Sequence, residues 1–284
     1  PARQPGGPGR VTSLPLPELA GLVAALLAAG VLAGLVAGLF GVGGGTVMVP
    51  ALFYAFSVLG VGGEHNLHVA VGTSLAVIVV VSIRSLAAHR GHGAVDETVL
   101  RQWTPWVALG GLIGAIIAGY ASMAALGIVY AACLMLVAAQ MGLLPERATL
   151  RSDLPAGPAR GVLGTLIGLL SALMGVGGGS LGGMLMTLCG RPIHQAVATA
   201  SGFGLAIGLP AALGFVAFGW GVEGRPPLSL GFVSVPGALV MGVVTAAVAP
   251  YGARLAHRLD RMTLRRAFAV FLALTAISVV VKAL

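Results

Sequence analysis

The sequence predicts an all-α polytopic membrane protein built from two inverted five-segment repeats. The first supporting observation is composition: 57% of the 284 residues are apolar and only 8% are charged, against about 25% charged in an ordinary soluble domain. A mean hydropathy of +1.00 excludes both a soluble globular protein and a disordered chain. The second observation is that the apolar runs are continuous rather than alternating, which disfavours a membrane β-barrel. The third is an internal repeat of glycine-rich motifs.

Ten apolar segments follow one another along the chain. A straight helix needs about 20 residues to cross a bilayer, and the segments 46–61 and 179–190 are too short for that. Each of these two directly follows a glycine run, which indicates a broken helix or a hairpin that enters and leaves by the same face. We therefore expect about 8–10 membrane helices, two of them short or re-entrant. The segments are 18–40, 46–61, 67–88, 104–121, 123–141, 159–176, 179–190, 194–220, 229–250 and 264–284.

The two halves of the chain share motifs in the same order. Residues 32–46 align with 166–180 at nine of fifteen positions, and 68–74 align with 194–200. Each half has an odd number of segments, so the second half is expected to insert upside down relative to the first, as in many secondary transporters. The predicted division is a flexible N-terminal tail at 1–17, a first transmembrane repeat at 18–141, a cytoplasmic linker at 142–158 and a second repeat at 159–284.

Basic residues predict the orientation of the chain. Fifteen arginines and one lysine against eight acids give a net charge of +8. If residue 1 is outside, the inside loops and the mouth of the sixth segment carry eleven arginines, whereas the outside has four basic residues. This positive-inside bias predicts that both termini lie outside. It also explains the basic charge by contact with the lipid bilayer, without nucleic acid as a partner.

Two GVGGG runs are the first candidate binding elements. Consecutive glycines expose backbone N–H groups, and a helix that starts behind them directs its positive dipole end at the run. Thr46 and Ser180 follow the two runs and are suitable N-cap residues. Two such tips entering from opposite faces would form an anion site near the midplane; the alternative is tight packing of a helix hairpin. The predicted glycines are Gly41, Gly43, Gly44, Gly45, Gly175, Gly177, Gly178 and Gly179.

Hydroxyl and histidine residues early in the third segment of each half complete the candidate set. Their hydroxyls could bind an oxyanion, or they could bond helix backbone or a neighbouring helix. His68 and His194 occupy matching positions and are candidates for proton coupling or for a cation beside the substrate, the alternative being residues at the membrane interface. The hydroxyl blocks consist of Gly72, Thr73, Ser74, Thr199 and Ser201.

Several functional motifs are missing from the sequence, and their absence narrows the functional classes to which the protein can belong. All eight acids lie in loops or at segment ends, whereas carboxylate relays and cation sites need an acid inside the membrane. We find no metal-ligand spacing, P-loop, metalloprotease motif or nucleophile elbow. The sequence therefore predicts neither an enzyme nor a cofactor or metal site, and it favours secondary transport.

The stretches GVGGGTVMVP and AVGTSL at 70–75 resemble the TauE/SafE (TSUP) sulfite exporter family. GVGGGS and AVATAS in the second half resemble its weaker repeat, and RLAHRLDRMTLRRAF before the last helix is similar too. The resemblance spans about residues 18–284. It implies a multi-pass carrier in a bacterial or archaeal inner membrane for sulfite, sulfonates or other organosulfur anions.

These observations together predict a permease or exporter for a small sulfur-containing oxyanion or organosulfonate such as sulfite, sulfoacetate or taurine. A passive anion channel of the same architecture and a membrane scaffold subunit are the alternatives. The expected partners are the small anion and the bilayer. The sequence leaves open the anion, the direction of transport, the coupling ion and the oligomeric state, including a homo-oligomer.

Overall fold

The computed structural model describes residues 16–40, 45–58, 60–61, 63–143, 153–256 and 261–283. These residues form ten α-helices, a 3₁₀ helix at Gly63–His65 and a two-stranded ribbon. The helices correspond one to one to the ten predicted segments, so the all-α polytopic fold is confirmed. They are α1 (Leu16–Phe40), α2 (Gly45–Val58), α3 (Asn66–Gly91), α4 (Glu97–Tyr120), α5 (Met123–Leu143), α6 (Pro158–Leu173), α7 (Leu181–Leu188), α8 (Ile193–Phe218), α9 (Val235–Ala256) and α10 (Arg261–Ala283). The strands are β1 (Ser229–Leu230) and β2 (Val233–Ser234).

The predicted segment 229–250 is wrong at its start. Its first residues form the antiparallel pair β1 and β2, and α9 begins only at Val235. The two strands are joined through Gly231, whose φ of +55° suits the first position of a two-residue hairpin loop. A side chain on Gly231 would overlap the carbonyl oxygen of Val216. The ribbon therefore lies directly against the end of α8, a tertiary contact that hydropathy does not report.

Helices α3 and α8, which are equivalent in the two repeats, pack against each other in opposite directions. A Cβ on Gly72, near the start of α3, would lie 3.0 Å from the Cβ of Phe215, near the end of α8. Further along α3, Ser82 lies against Gly204, which is earlier in α8. Because residue numbers rise along α3 as they fall along α8, the two helices are antiparallel.

The small residues of α1 form a packing surface against α9. A Cβ on Gly30 would lie 3.0 Å from the Cβ of Val244, and a Cβ on Gly34 would lie 2.9 Å from the Cβ of Val248. The contacts advance together along both helices, so α1 and α9 are parallel. Glycines spaced by four allow this close approach, as in many membrane helix pairs.

Helices α4 and α6 repeat this arrangement. A Cβ on Gly164 would lie 2.7 Å from the Cβ of Trp106, and a Cβ on Gly114 would lie 2.8 Å from the Cβ of Ala172. This pair is therefore also parallel. In the internal repeat, α1–α5 correspond in order to α6–α10. Under this correspondence the contact between α1 and α9 becomes the contact between α6 and α4, and the α3/α8 and α5/α10 contacts stay the same. Two equivalent halves related by a two-fold axis across the helices give this pattern, which is that of inverted repeats.

The helix directions show that α7 returns to the face from which α6 enters. Helix α4 is parallel to α8 as well as to α6, because Ile207 lies against Gly111 and Gly214 lies against Ala115. Helices α6 and α8 therefore run the same way, and the chain between them has to come back. The 16 residues of α6 extend about 24 Å, whereas the 26 residues of α8 extend about 39 Å. Helices α6 and α7 thus form a re-entrant hairpin.

In the first half the chain also turns back between two parallel helices. Gly237 and Gly242 of α9 lie against Thr73 and Val77 of α3, so these two helices are parallel. Because α1 is also parallel to α9, α1 and α3 run the same way and α2 returns between them. Each half therefore contributes one hairpin and three further helices.

Apolar side chains cover much of the outside of the bundle. Within the residues that the structure describes, five helices are long and apolar enough to cross a membrane: α3, α4, α5, α8 and α9. Leu213, Leu239, Val243 and Leu274 are each more than 60% exposed, which a water-soluble surface would not tolerate in such density but a lipid surface requires. The protein is an integral membrane protein.

Candidate functional site

The second glycine run begins where α6 ends. Gly175 adopts a left-handed φ of +64°, and its N–H donates to the carbonyl of Ala172 while the N–H of Val176 donates to that of Ser171. These two hydrogen bonds form a Schellman motif, which a glycine at this position makes possible. The sequence therefore stops α6 abruptly inside the bundle rather than at its surface.

The next three glycines differ in how closely they are packed. A Cβ on Gly177 would lie 2.9 Å from a methyl group of Ile78, and a Cβ on Gly178 would lie 2.5 Å from the Cβ of Phe203. A Cβ on Gly179 would have no described atom within 4 Å. Gly177 and Gly178 are thus needed for packing, whereas Gly179 opens onto free space at the start of α7.

The backbone of this run offers free donors. In the described part of the chain, the N–H groups of Gly177, Gly178 and Gly179 donate no backbone hydrogen bond. Buried N–H groups are almost always paired in proteins. Three adjacent unpaired ones at the start of a helix, where the dipole is positive, form a concave set of donors suited to an anion.

The end of the first glycine run touches the second run. A Cβ on Gly45, the first residue of α2, would lie 3.0 Å from the Cα of Val176 and 3.2 Å from the carbonyl oxygen of Gly175. The predicted residues Gly41, Gly43 and Gly44 lie outside the described residues. The start of the α2 hairpin arm therefore meets the turn between α6 and α7.

The predicted N-cap roles of Thr46 and Ser180 are wrong. Helix α2 begins one residue earlier, so Thr46 lies inside its first turn. Ser180 precedes α7, but its backbone is helical and its side chain makes no capping bond; an N-cap residue needs an extended backbone to turn its hydroxyl towards the helix start. As a result Thr46 Oγ1 and Ser180 Oγ are buried atoms without a hydrogen-bond partner.

Ser171 adds a third unpaired hydroxyl that sequence analysis missed. It lies in the last turn of α6, is fully buried, and its Oγ has no partner. The residue at the aligned position of the first repeat is Ala37. The internal repeat, which was the signal used to select hydroxyls, could therefore not identify Ser171.

Thr73 and Thr199, the matching hydroxyls of the two repeats, have matching partners. Thr73 Oγ1 accepts the N–H of Ser234 at 2.9 Å, and Thr199 Oγ1 accepts the N–H of Asp96 at 2.9 Å. Ser234 and Asp96 are the residues just before α9 and α4, and each caps its helix through its own side chain. Each threonine therefore holds the start of a helix from the opposite repeat; we call this pair of contacts the threonine latches.

The remaining predicted hydroxyls and Gly72 also have contacts with the protein. Ser74 Oγ donates to the carbonyl of Gly175 at 2.7 Å and so fixes the turn of the second glycine run. Ser201 Oγ donates to the carbonyl of Ala198 in its own helix. A Cβ on Gly72 would lie 2.5 Å from the carbonyl oxygen of Phe232. Their role in binding a substrate stays a prediction.

The two predicted histidines differ sharply. His68 is 2% exposed, and its Nε2 lies 3.1 Å from the carbonyl oxygens of both Ala118 and Ala121, at the end of α4. His68 is therefore a buried residue in the first turn of α3, packed against the end of α4, and its place relative to the membrane interface stays a prediction. His194 is exposed.

No Asp, Glu, Lys or Arg side chain is buried among the residues that the structure describes. Among these residues, the buried polar groups close to the second glycine run are therefore backbone groups and hydroxyls. Such a neutral set of donors can compensate the negative charge of an anion without holding it as firmly as a buried cation would.

An all-helical membrane fold of two inverted repeats, each with a helix hairpin, is the architecture of a membrane transporter. The family model for the sulfite exporter TauE/SafE family matches residues 26–279. The chain belongs to this family. The chain is also 31% identical over 245 residues to a probable membrane transporter protein of Haemophilus influenzae, with 86% of this chain and 92% of that protein covered. No solved structure matches the chain.

Proposed function

We propose that this membrane transporter is a secondary permease or exporter for a small sulfur-containing oxyanion or organosulfonate, such as sulfite, sulfoacetate or taurine. We place it in a bacterial inner membrane with both termini outside. The observation that carries the proposal is the set of donors at the second hairpin: three backbone N–H groups of Gly177–Gly179 that donate no backbone hydrogen bond in the described residues, and buried hydroxyls without partners on Ser171, Ser180 and Thr46, which flank the two glycine runs in the sequence.

The chemistry of the donor set suits a sulfur oxyanion. A sulfite or sulfonate group has three oxygens that spread one or two negative charges, and each oxygen accepts more than one hydrogen bond. Backbone N–H groups at a helix start bind such groups without a lysine or arginine. Release on the other side of the membrane then requires no charged pair to be separated.

The hydroxyls that already have partners take a different role in this proposal. The latches of Thr73 and Thr199 and the bond from Ser74 to Gly175 fix the positions of the helices around the anion. We assign direct contact to Ser171, Ser180 and Thr46, whose oxygens have no protein partner. The first glycine run is expected to supply the equivalent backbone donors from the other repeat.

A matched pair of glycine substitutions tests the proposal. Gly179→Ala adds a methyl group next to the glycine run where no described atom lies within 4 Å, so it should weaken anion binding without disturbing the packing of the described residues. Gly183→Ala, one turn later in α7, places its methyl 3.7 Å from that of Ala200, an ordinary contact. The measurement is counterflow of radiolabelled sulfite in proteoliposomes, with taurine and sulfoacetate as competitors.

Gly179→Ala should lower sulfite counterflow at least about tenfold, which corresponds to the loss of about 1.4 kcal/mol of binding, while Gly183→Ala transports normally. Equal activity of both variants would show that the glycine run serves packing only. Sulfite currents without counterflow would identify a channel, and the absence of both from well-inserted wild-type protein would favour a scaffold subunit.

A further inference from the structure

A cleft of about 320 Å³ lies at the end of the bundle where α3 begins and α4 passes into α5. It is distinct from the second glycine run, because none of the residues Gly175–Gly179 lines it. The cleft brings together a carboxylate, two imidazoles and a hydroxyl from two separate parts of the sequence. Its polar lining residues are Glu64, His65, His68 and Ser122.

His68 is the buried member of this group. Its Nε2 faces two carbonyl oxygens, which can only accept hydrogen bonds, so Nε2 carries the proton and Nδ1 carries the lone pair in the neutral ring. Nδ1 is a buried atom without a partner. The His68 ring packs against the rings of both His65 and Phe232, with centroid distances of 5.7 and 5.2 Å, and these two rings also contact each other at 5.3 Å. The structure thus fixes an imidazole with one unused, basic nitrogen beside the cleft.

The surroundings partly prepare His68 for a positive charge. The carbonyl oxygens of Ala118 and Ala121 lie at the negative end of the α4 dipole, and Glu64 supplies a carboxylate in the same cleft. Burial of the His68 ring acts against its positively charged form. Glu64 and His65 are the titratable groups that line the cleft with His68. A bound anion would supply the charge that is still missing.

We propose that this cleft is an anion-binding vestibule in which His68 takes up a proton together with the anion. This inference rests on the proposed transport of sulfur oxyanions and adds a second site with its coupling. A proton from water adds to the Nδ1 lone pair, Nε2 keeps its own proton, and the anion pairs with the resulting imidazolium. Binding and protonation favour each other to the same extent, as linkage requires.

The equivalent position in the second repeat provides a natural control. His194 aligns with His68 but is exposed and does not line the cleft. Its imidazole therefore needs no counter-charge, because water already solvates it. A proton taken up with the anion should depend on His68 alone.

The experiment measures how many protons the purified full-length protein takes up from a weakly buffered detergent solution near neutral pH when isethionate is added. Isethionate is an organosulfonate without a titrating group in this range, so any absorbed proton has to bind to the protein. Wild type and His194→Gln should absorb about one proton per protein molecule at saturating isethionate. His68→Gln, whose amide can still donate to the two carbonyls, should absorb none and bind isethionate at least about tenfold more weakly.

The wild-type measurement alone can overturn the inference, whether or not the His68 variant folds. Isethionate binding without proton uptake would overturn it, as would unchanged uptake in a folded His68→Gln variant or equal loss in His194→Gln. If sulfite counterflow persists in any of these cases, only the vestibule is rejected. If wild-type protein neither binds isethionate nor transports sulfite, the proposed function fails as well.

Discussion

The latch between Thr73 and Ser234 can be tested by replacing Thr73 with valine, which has nearly the same shape but no acceptor. The N–H of Ser234 would then lose its partner in a position where Ser234 is only 1% exposed. Leaving a buried donor unpaired costs about 1–3 kcal/mol. We expect the upper part of that range for Thr73→Val.

The repeat-related substitution Thr199→Val should cost less, towards about 1 kcal/mol. Its partner Asp96 has a side chain that is 15% exposed, so water can reach the freed N–H more easily. Thr275→Val is the matched control: Thr275 is buried too, but its hydroxyl donates to a carbonyl of its own helix, and that carbonyl keeps its backbone bond. Thr73→Ser retains the acceptor and should restore most of the stability.

The assay is equilibrium unfolding in mixed detergent micelles, followed by tryptophan fluorescence. The expected order of destabilisation is Thr73→Val first, then Thr199→Val, then Thr275→Val and Thr73→Ser. Equal loss in Thr73→Val and Thr275→Val would refute the reasoning, because burial of the methyl group rather than the hydrogen bond to Ser234 would then explain the effect.

Three further predictions follow from the packing, the charge pattern and the unpaired hydroxyls. Gly110→Val should prevent folding, since its side chain would overlap backbone atoms of α6, whereas Gly142→Ala should give a normal monodisperse peak in size-exclusion chromatography. In a cysteine-free background, Glu223→Cys should react with an impermeant thiol reagent in intact cells and His92→Cys should not; the reverse would overturn the predicted orientation. Ser171→Ala should leave stability unchanged but weaken sulfite binding about fivefold to tenfold, since it removes only an unpaired hydroxyl; unaltered affinity by isothermal titration would exclude Ser171 from the site.

The sequence allowed the fold to be predicted because the membrane imposes simple rules. Long apolar runs become helices, and glycines spaced by four become contact surfaces, as Gly30 and Gly34 do against α9. The exception is the ribbon before α9, which depends on one left-handed glycine and on contact with α8. Local hydropathy contains no information about such a contact.

The candidate site was harder to predict because a hydroxyl group has the same sequence signature whether or not it has a partner. The repeat identified Thr73 and Thr199 correctly as equivalent, but their partners lie 161 and 103 residues away. Ser171 escaped notice because its counterpart is an alanine. For the two histidines, alignment predicted equivalence, and only the packing of α3 against the end of α4 separates a buried His68 from an exposed His194.

The threonine latches also determine the order in which hydrogen bonds can form while the chain is synthesised. The N–H of Asp96, at the start of α4, receives its acceptor only after the ribosome has added the 103 residues that separate it from Thr199. At about 5–20 residues per second this takes roughly 5–20 s. Thr73 waits longer still, for a partner 161 residues downstream. The first half therefore enters the bilayer before the N–H of Asp96 has its acceptor. If the two halves are produced as separate chains, each half should be degraded when it is expressed alone and should persist when both are expressed in the same cell.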